Sequence, residues 1–120
     1  MMTSAVNRRV LFIITGDPRQ SARPAEAVRI AAGLSAGRNV EVTACFCSAA
    51  ALVVGDAAEE LVDGDSIARY LPLLAESGSV CVPQGAAASV TAQTPMAHSR
   101  EITDQELARL AANSDAVIRF

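Results

Sequence analysis

A chain of 120 residues, 51% of them apolar, is sized for one folded domain that can bury a core without metal or disulfide staples. Its formal charge is −3, its ten basic residues are all Arg and only 3% of it is aromatic. With no basic run, it lacks the electrostatic footprint of a nucleic-acid binder, and its acidic balance disfavours adsorption to an anionic membrane.

Residues 1–8 form a mostly polar leader, expected to fray. Residues 9–15 are a nearly continuous apolar run, the pattern of a strand covered on both faces, and Gly16-Asp17-Pro18 ends it. The run is too short to span a bilayer, and no small-x-small cleavage site follows it, which points to a cytoplasmic protein. Three Cys, an odd number, fit reduced thiols better than a disulfide framework. Pro24 suits a first helical position and Glu26 the first turn. Ala27, Ile30, Ala31 and Leu34 then make one apolar stripe, with Gly37 as the stop.

Residues 40–47 read as the second strand. Val40, Val42, Ala44 and Phe46 lie on one face, and Glu41, Thr43, Cys45 and Cys47 on the other. A short helix follows over 48–54, closed by Gly55. The acidic stretch 56–64 is a helical turn or a loop. Asp65 or Ser66 caps the next helix, whose inner face is Ile67, Tyr70, Leu71 and Leu74, with Pro72 as a kink or a restart. Gly78 ends it and the strand carrying Cys81 follows. Residues 86–90 suit a short helix, and 91–100 carry no clear period, leaving a loop or a short strand around Met96. Thr103 and Glu106 then form a capping box, with Ile102 and Leu107 placed as its hydrophobic staple, and 116–120 close the chain as a strand. Strands alternate with helices and no hairpin signal intervenes. The expected fold is a single three-layer α/β/α domain over 1–120, with a mainly parallel sheet of about five strands.

Cys81 is the first candidate for chemistry. It is expected near the carboxyl end of its strand, before a helix start, facing the crevice where open α/β sheets bind ligands. Backbone N–H groups and a helix dipole there favour the thiolate, the form that attacks sulfur and carries a persulfide. The plain alternative is a buried thiol acting as a small hydrophobe. Cys45 and Cys47 share a strand face. With one His in the chain they make a poor zinc set, so no metal is expected, and a bridge within the strand lies at or beyond disulfide reach. They are core filler, or else Cys47, ahead of Cys45, receives or resolves sulfur from Cys81. Arg19 and Arg23 flank the first long helix start and are candidate anion-binding residues, or a solvated pair. Their loop has neither G-x-G-x-x-G nor G-x-x-x-x-G-K-[ST] spacing, and no cofactor is expected. His98 reads as a surface residue, and Glu59, Glu60, Asp63 and Asp65 as a solvated loop.

The order of these pieces resembles the DsrE/DsrF-like (TusD-like) family of small sulfur-relay proteins. The matching stretches are Val10-Leu11-Phe12-Ile13-Ile14-Thr15, the first helix from Pro24 to Leu34, Val40-Glu41-Val42-Thr43-Ala44-Cys45-Phe46, Tyr70-Leu71-Pro72-Leu73-Leu74-Ala75-Glu76-Ser77-Gly78 leading into Val80-Cys81-Val82, and Asp115-Ala116-Val117-Ile118-Arg119-Phe120 at the end. The resemblance implies a five-stranded, mainly parallel domain that assembles into dimers, trimers or hexamers. It also implies a Cys after the third strand that accepts persulfide sulfur from a donor protein and hands it to an acceptor; that Cys falls on Cys81. Two further readings are an interaction subunit without chemistry and a small-ligand or nucleotide binder using Arg19 or Arg23.

Overall fold

The computed structural model describes residues 7–55, 58–86 and 99–120. The first apolar run forms β1 (Arg8–Ile14), and the alternating run after the first helix forms β2 (Val40–Phe46). With β3 (Ser79–Pro83), β4 (Arg100–Ile102) and β5 (Ala116–Arg119) they make one sheet in the order β4-β3-β2-β1-β5. Every neighbouring pair is parallel. Each connection must therefore cross over, and α1 (Arg23–Ser35), α2 (Gly64–Ser77) and α3 (Asp104–Ala112) lie in these crossovers.

The two faces of the sheet differ in depth. Phe12, Ile14, Val42, Ala44, Phe46, Val80 and Val82 enter the larger core, with α1, α2 and the 3-10 turn Ser48–Val54 packed on it. The other face carries a small cluster of Leu11, Cys45, Cys81 and Ile102, against which Leu107, Leu110 and Ala111 of α3 pack. The period-2 split read for β2 is what the structure has: Val42, Ala44 and Phe46 on the thick side, Cys45 and Cys47 on the thin side.

Several local expectations are adjusted. In α1 the buried face is Ala27, Val28, Ala31, Ala32 and Ser35, while Ile30 and Leu34 are 40% and 37% exposed. Small residues let α1 lie close to its neighbours, and the bulkier ones are left outside. Helix α2 begins at Gly64 behind Asp63, which is left-handed (φ 55°, ψ 36°) and makes no side-chain cap bond, so Asp65 and Ser66 are already inside the helix. Pro72 neither ends nor restarts α2, which continues to Ser77 with Pro72 on its exposed side. The stretch 48–54 is a 3-10 helix closed by Gly55. Residues 84–86 are helical; the remainder of the 86–90 helix, the strand considered around Met96, and His98 lie outside the described residues.

Gly78 is required by a close approach: a Cβ there would stand 2.7 Å from the Val42 carbonyl oxygen and 3.2 Å from that of Leu74. At the chain end, Phe120 stacks on Phe12 with ring centroids 6.0 Å apart. The capping box of α3 has both bonds: the Glu106 N–H donates to Thr103 Oγ1 and the Thr103 N–H to Glu106 Oε1, each at 3.0 Å. Among the described residues no helix is long and apolar enough to cross a membrane.

Candidate functional site

Register, more than sequence proximity, builds the site. Cys45 on β2 pairs with Ile13 on β1 and with Cys81 on β3; Cys81 pairs with Arg100 on β4, and Ile13 with Arg119 on β5. One row across the sheet therefore reads Arg119, Ile13, Cys45, Cys81, Arg100. In-register parallel residues point to the same face, so two thiols sit side by side with a guanidinium at each end of their row. Cys47, one step beyond the end of β2, shares that face, and its Sγ lies 3.8 Å from Cys45 Sγ and 3.9 Å from the Cys45 carbonyl oxygen.

The three thiols are free and differ in access. Cys45 and Cys81 have 0% exposure, while Cys47 is only partly buried. Cys81 is the middle residue of β3, two residues before its last residue, Pro83. Pairing with β2 ends at the Cys45–Cys81 pair, so the missing N–H of Pro83 takes nothing from the β2 ladder; on the other side Pro83, the last residue of the strand, is level with Ile102 of β4.

Electrostatics shift one thiol up and two down. Cys45 is pushed far up, by hydrogen bonding with Cys47 and with Cys81 and by burial. Cys47 is drawn below the ordinary thiol range by the Cys45 hydrogen bond, with help from Arg119 and against burial and Asp104. Cys81 is drawn down by hydrogen bonding with Cys45 and by Arg100, against burial, Cys47 and Glu106. A thiol near a cation and a hydrogen-bond donor is the arrangement that favours thiolate chemistry. Among the described residues no group of three or more metal-ligating side chains is arranged to hold a metal ion.

The predicted site residues do not all converge. Cys81 and Cys47 belong to one cluster, with Cys45 between them. Arg19 is held in its own loop, its Nε and Nη2 donating to the two carboxylate oxygens of Asp17 at 3.0 and 2.9 Å. The Arg23 guanidinium lies 5.4 Å over the Phe120 ring. Arg100 and Arg119 were missed in sequence because neither lies near a Cys along the chain; only strand order brings them to the row.

No protein-family model matches this sequence, and no curated protein matches it. In three dimensions the chain is similar to the ychN protein from E. coli, with a TM-score of 0.81 and 18% identity over 94% of this chain and 99% of that one. That likeness shows the fold: a single α/β domain of the DsrE-like type, with a five-stranded parallel sheet flanked by helices.

Proposed function

We propose that this protein handles sulfane sulfur: its thiol cluster takes up a persulfide sulfur, holds it on Cys81 and passes it to the thiol of a partner protein. The observation that carries this reading is the juxtaposition of three thiols on one sheet face, with Cys45 between an accessible thiol and a buried one and Arg100 and Arg119 at the ends of the row. Sulfur transfer needs little more than this. An acceptor thiolate attacks the outer sulfur of a persulfide and a thiolate leaves, with no net oxidation. The DsrE-like fold agrees with the sulfur-relay resemblance, and a reducing cytoplasm would keep the thiols free.

The test is to load the purified protein from a small-molecule persulfide, remove loosely held sulfur by brief exposure to a small thiol, and map what remains. One sulfur is expected on Cys81, absent in Cys81→Ser. Retention of the stable sulfur in Cys81→Ser would refute the assignment.

A second reading, an oligomerising or docking subunit, is favoured by the far side of the molecule. A groove of about 620 Å³ runs between α1 and α2 over Gly33, Ala36, Tyr70 and Leu73, and Leu73 is 51% exposed. A homo-oligomer formed on this face would be weakened by Leu73→Asp in sedimentation velocity; unchanged association would dismiss this face as the contact.

A further inference from the structure

We propose that Cys47 is the portal through which sulfur reaches the buried thiols, and that Cys45 relays it from Cys47 to Cys81. This rests on the sulfur-handling reading above and adds the route. Under it, the stored persulfide lies where foreign thiols in solution do not reach it.

The route is set by access and distance. Cys81 has no exposed surface and a partner's thiol has no line to it, whereas Cys47 is partly open. Cys47 Sγ stands 3.8 Å from Cys45 Sγ. A persulfide extends the side chain by one S–S bond of about 2.05 Å. The outer sulfur on Cys47 therefore covers more than half of that gap without movement of either strand. The second gap is crossed between register partners on adjacent strands, which lie about 4.8 Å apart. Charge is arranged along the same path: Arg119 acts on Cys47 and Arg100 on Cys81, with Asp104 and Glu106 of the first turn of α3 opposing them.

The chemistry is three exchanges. The Cys47 thiolate attacks the outer sulfur of an incoming persulfide; the new S–S bond forms as the donor's breaks, and the donor leaves as a thiolate. Cys45 then attacks the outer sulfur on Cys47 and gives its proton to the departing Cys47 sulfur. Last, the Cys81 thiolate attacks the outer sulfur on Cys45, and the released Cys45 thiolate takes the proton back from Cys47. One S–S bond replaces another at each step, so no oxidant or reductant is consumed. Cys45 is thus a member of the relay and its proton reservoir, a role that its position between the other two sulfurs assigns.

The experiment is a time course with glutathione persulfide on the full-length protein, quenched with an alkylating reagent in denaturant and mapped by peptide fragmentation. In the wild type, sulfur is expected on Cys47 first and on Cys81 later. Cys47→Ser should slow Cys81 loading by about tenfold or more, since the remaining path requires the fold to open. Cys45→Ala should strand sulfur on Cys47 and slow Cys81 loading to a similar degree. Should Cys45→Ala fail to fold by circular dichroism, Cys45→Ser and the wild-type order of labelling decide. Loading of Cys81 at the wild-type rate in Cys47→Ser would overturn the portal while leaving sulfur handling intact. A wild type that takes no sulfur on any thiol would overturn both.

Discussion

Helix α3 is the described element that covers the thiol row, and it is held lightly. None of its residues is fully buried, and its grip on the sheet is Leu107, Leu110 and Ala111 against the small cluster. Such an element opens at the low end of the local free-energy range. The capping box is then a large share of what keeps it shut, and Thr103→Ala removes the side-chain acceptor of its N-cap bond. Replacing a Thr N-cap costs about 1 kcal/mol, with a range of roughly 0.5–2. Since 1.4 kcal/mol is about tenfold, the open population should rise about fivefold, within limits of roughly twofold to thirtyfold. The assay is the alkylation rate of Cys81 in the native protein, which is proportional to that population. Val28→Ala, on the opposite core, is the comparison: Val28 is fully buried under α1. Losing its two methyl groups costs about 2 kcal/mol of global stability. It should leave the Cys81 rate nearly unchanged. If Val28→Ala accelerates Cys81 labelling in proportion to its larger loss of stability, Cys81 is reached through global unfolding and the argument for α3 as a local cover fails. A Thr103→Ala protein that labels at the wild-type rate would sink it equally.

Three other consequences are measurable. Gly78→Ala places a Cβ against the Val42 and Leu74 carbonyl oxygens, so it should lower the urea midpoint by the equivalent of about 1–3 kcal/mol; an unchanged midpoint would mean the strand shifts freely. The Thr103 N–H holds the Glu106 carboxyl below its ordinary value. Its contribution is therefore present above the unfolded-state value of about 4.3 and is lost as pH falls through the lower folded value. Glu106→Gln keeps an acceptor in the box but does not titrate, so its Tm should fall less than the wild type's on acidification, and equal falls would contradict the assignment. Finally, the hydrogen bond with Cys45 draws Cys47 below the ordinary thiol range, so the midpoint of Cys47 alkylation against pH should move upward in Cys45→Ala; a midpoint that stays put would remove Cys45 as the cause.

Much of the fold was legible because its signals are local. The period of two in residues 40–46 split β2 between the two faces, and Thr103 with Glu106 marked the start of α3 through atoms three residues apart. The absence of hairpin turns implied crossovers, hence a parallel sheet. Where the reading slipped, local signals were degenerate. In α1 eight of the thirteen positions are apolar and four of these are Ala, so Ala27–Ala31 belongs to two candidate stripes and the Ile30–Leu34 one is the exposed one. At the start of α2 three acidic or hydroxyl residues compete for the cap, and the chain begins the helix earlier, from a left-handed Asp63.

The candidate site was legible in its parts and hidden in its assembly. Cys81 stood out for its place before a helix start, yet its neighbours across the sheet, Cys45 and Arg100, are set by strand order and register, which no short stretch of sequence carries. A slip of one residue between β2 and β3 would set Cys81 level with a residue whose side chain enters the opposite core, since side chains alternate faces. The thiol pair is thus a property of this register alone. That register is held by the thick core: Phe12, Phe46 and Val82, all fully buried, favour one alignment of the strands and set the row on their opposite face as a consequence. The division explains how a row with buried thiols and an Arg at either end can exist in so small a domain. Apolar packing that orders the sheet is concentrated beneath α1 and α2. The thin face, relieved of that task, can keep Cys45 and Cys81 covered, among the described residues, by one capped helix while Cys47 remains within reach of solvent.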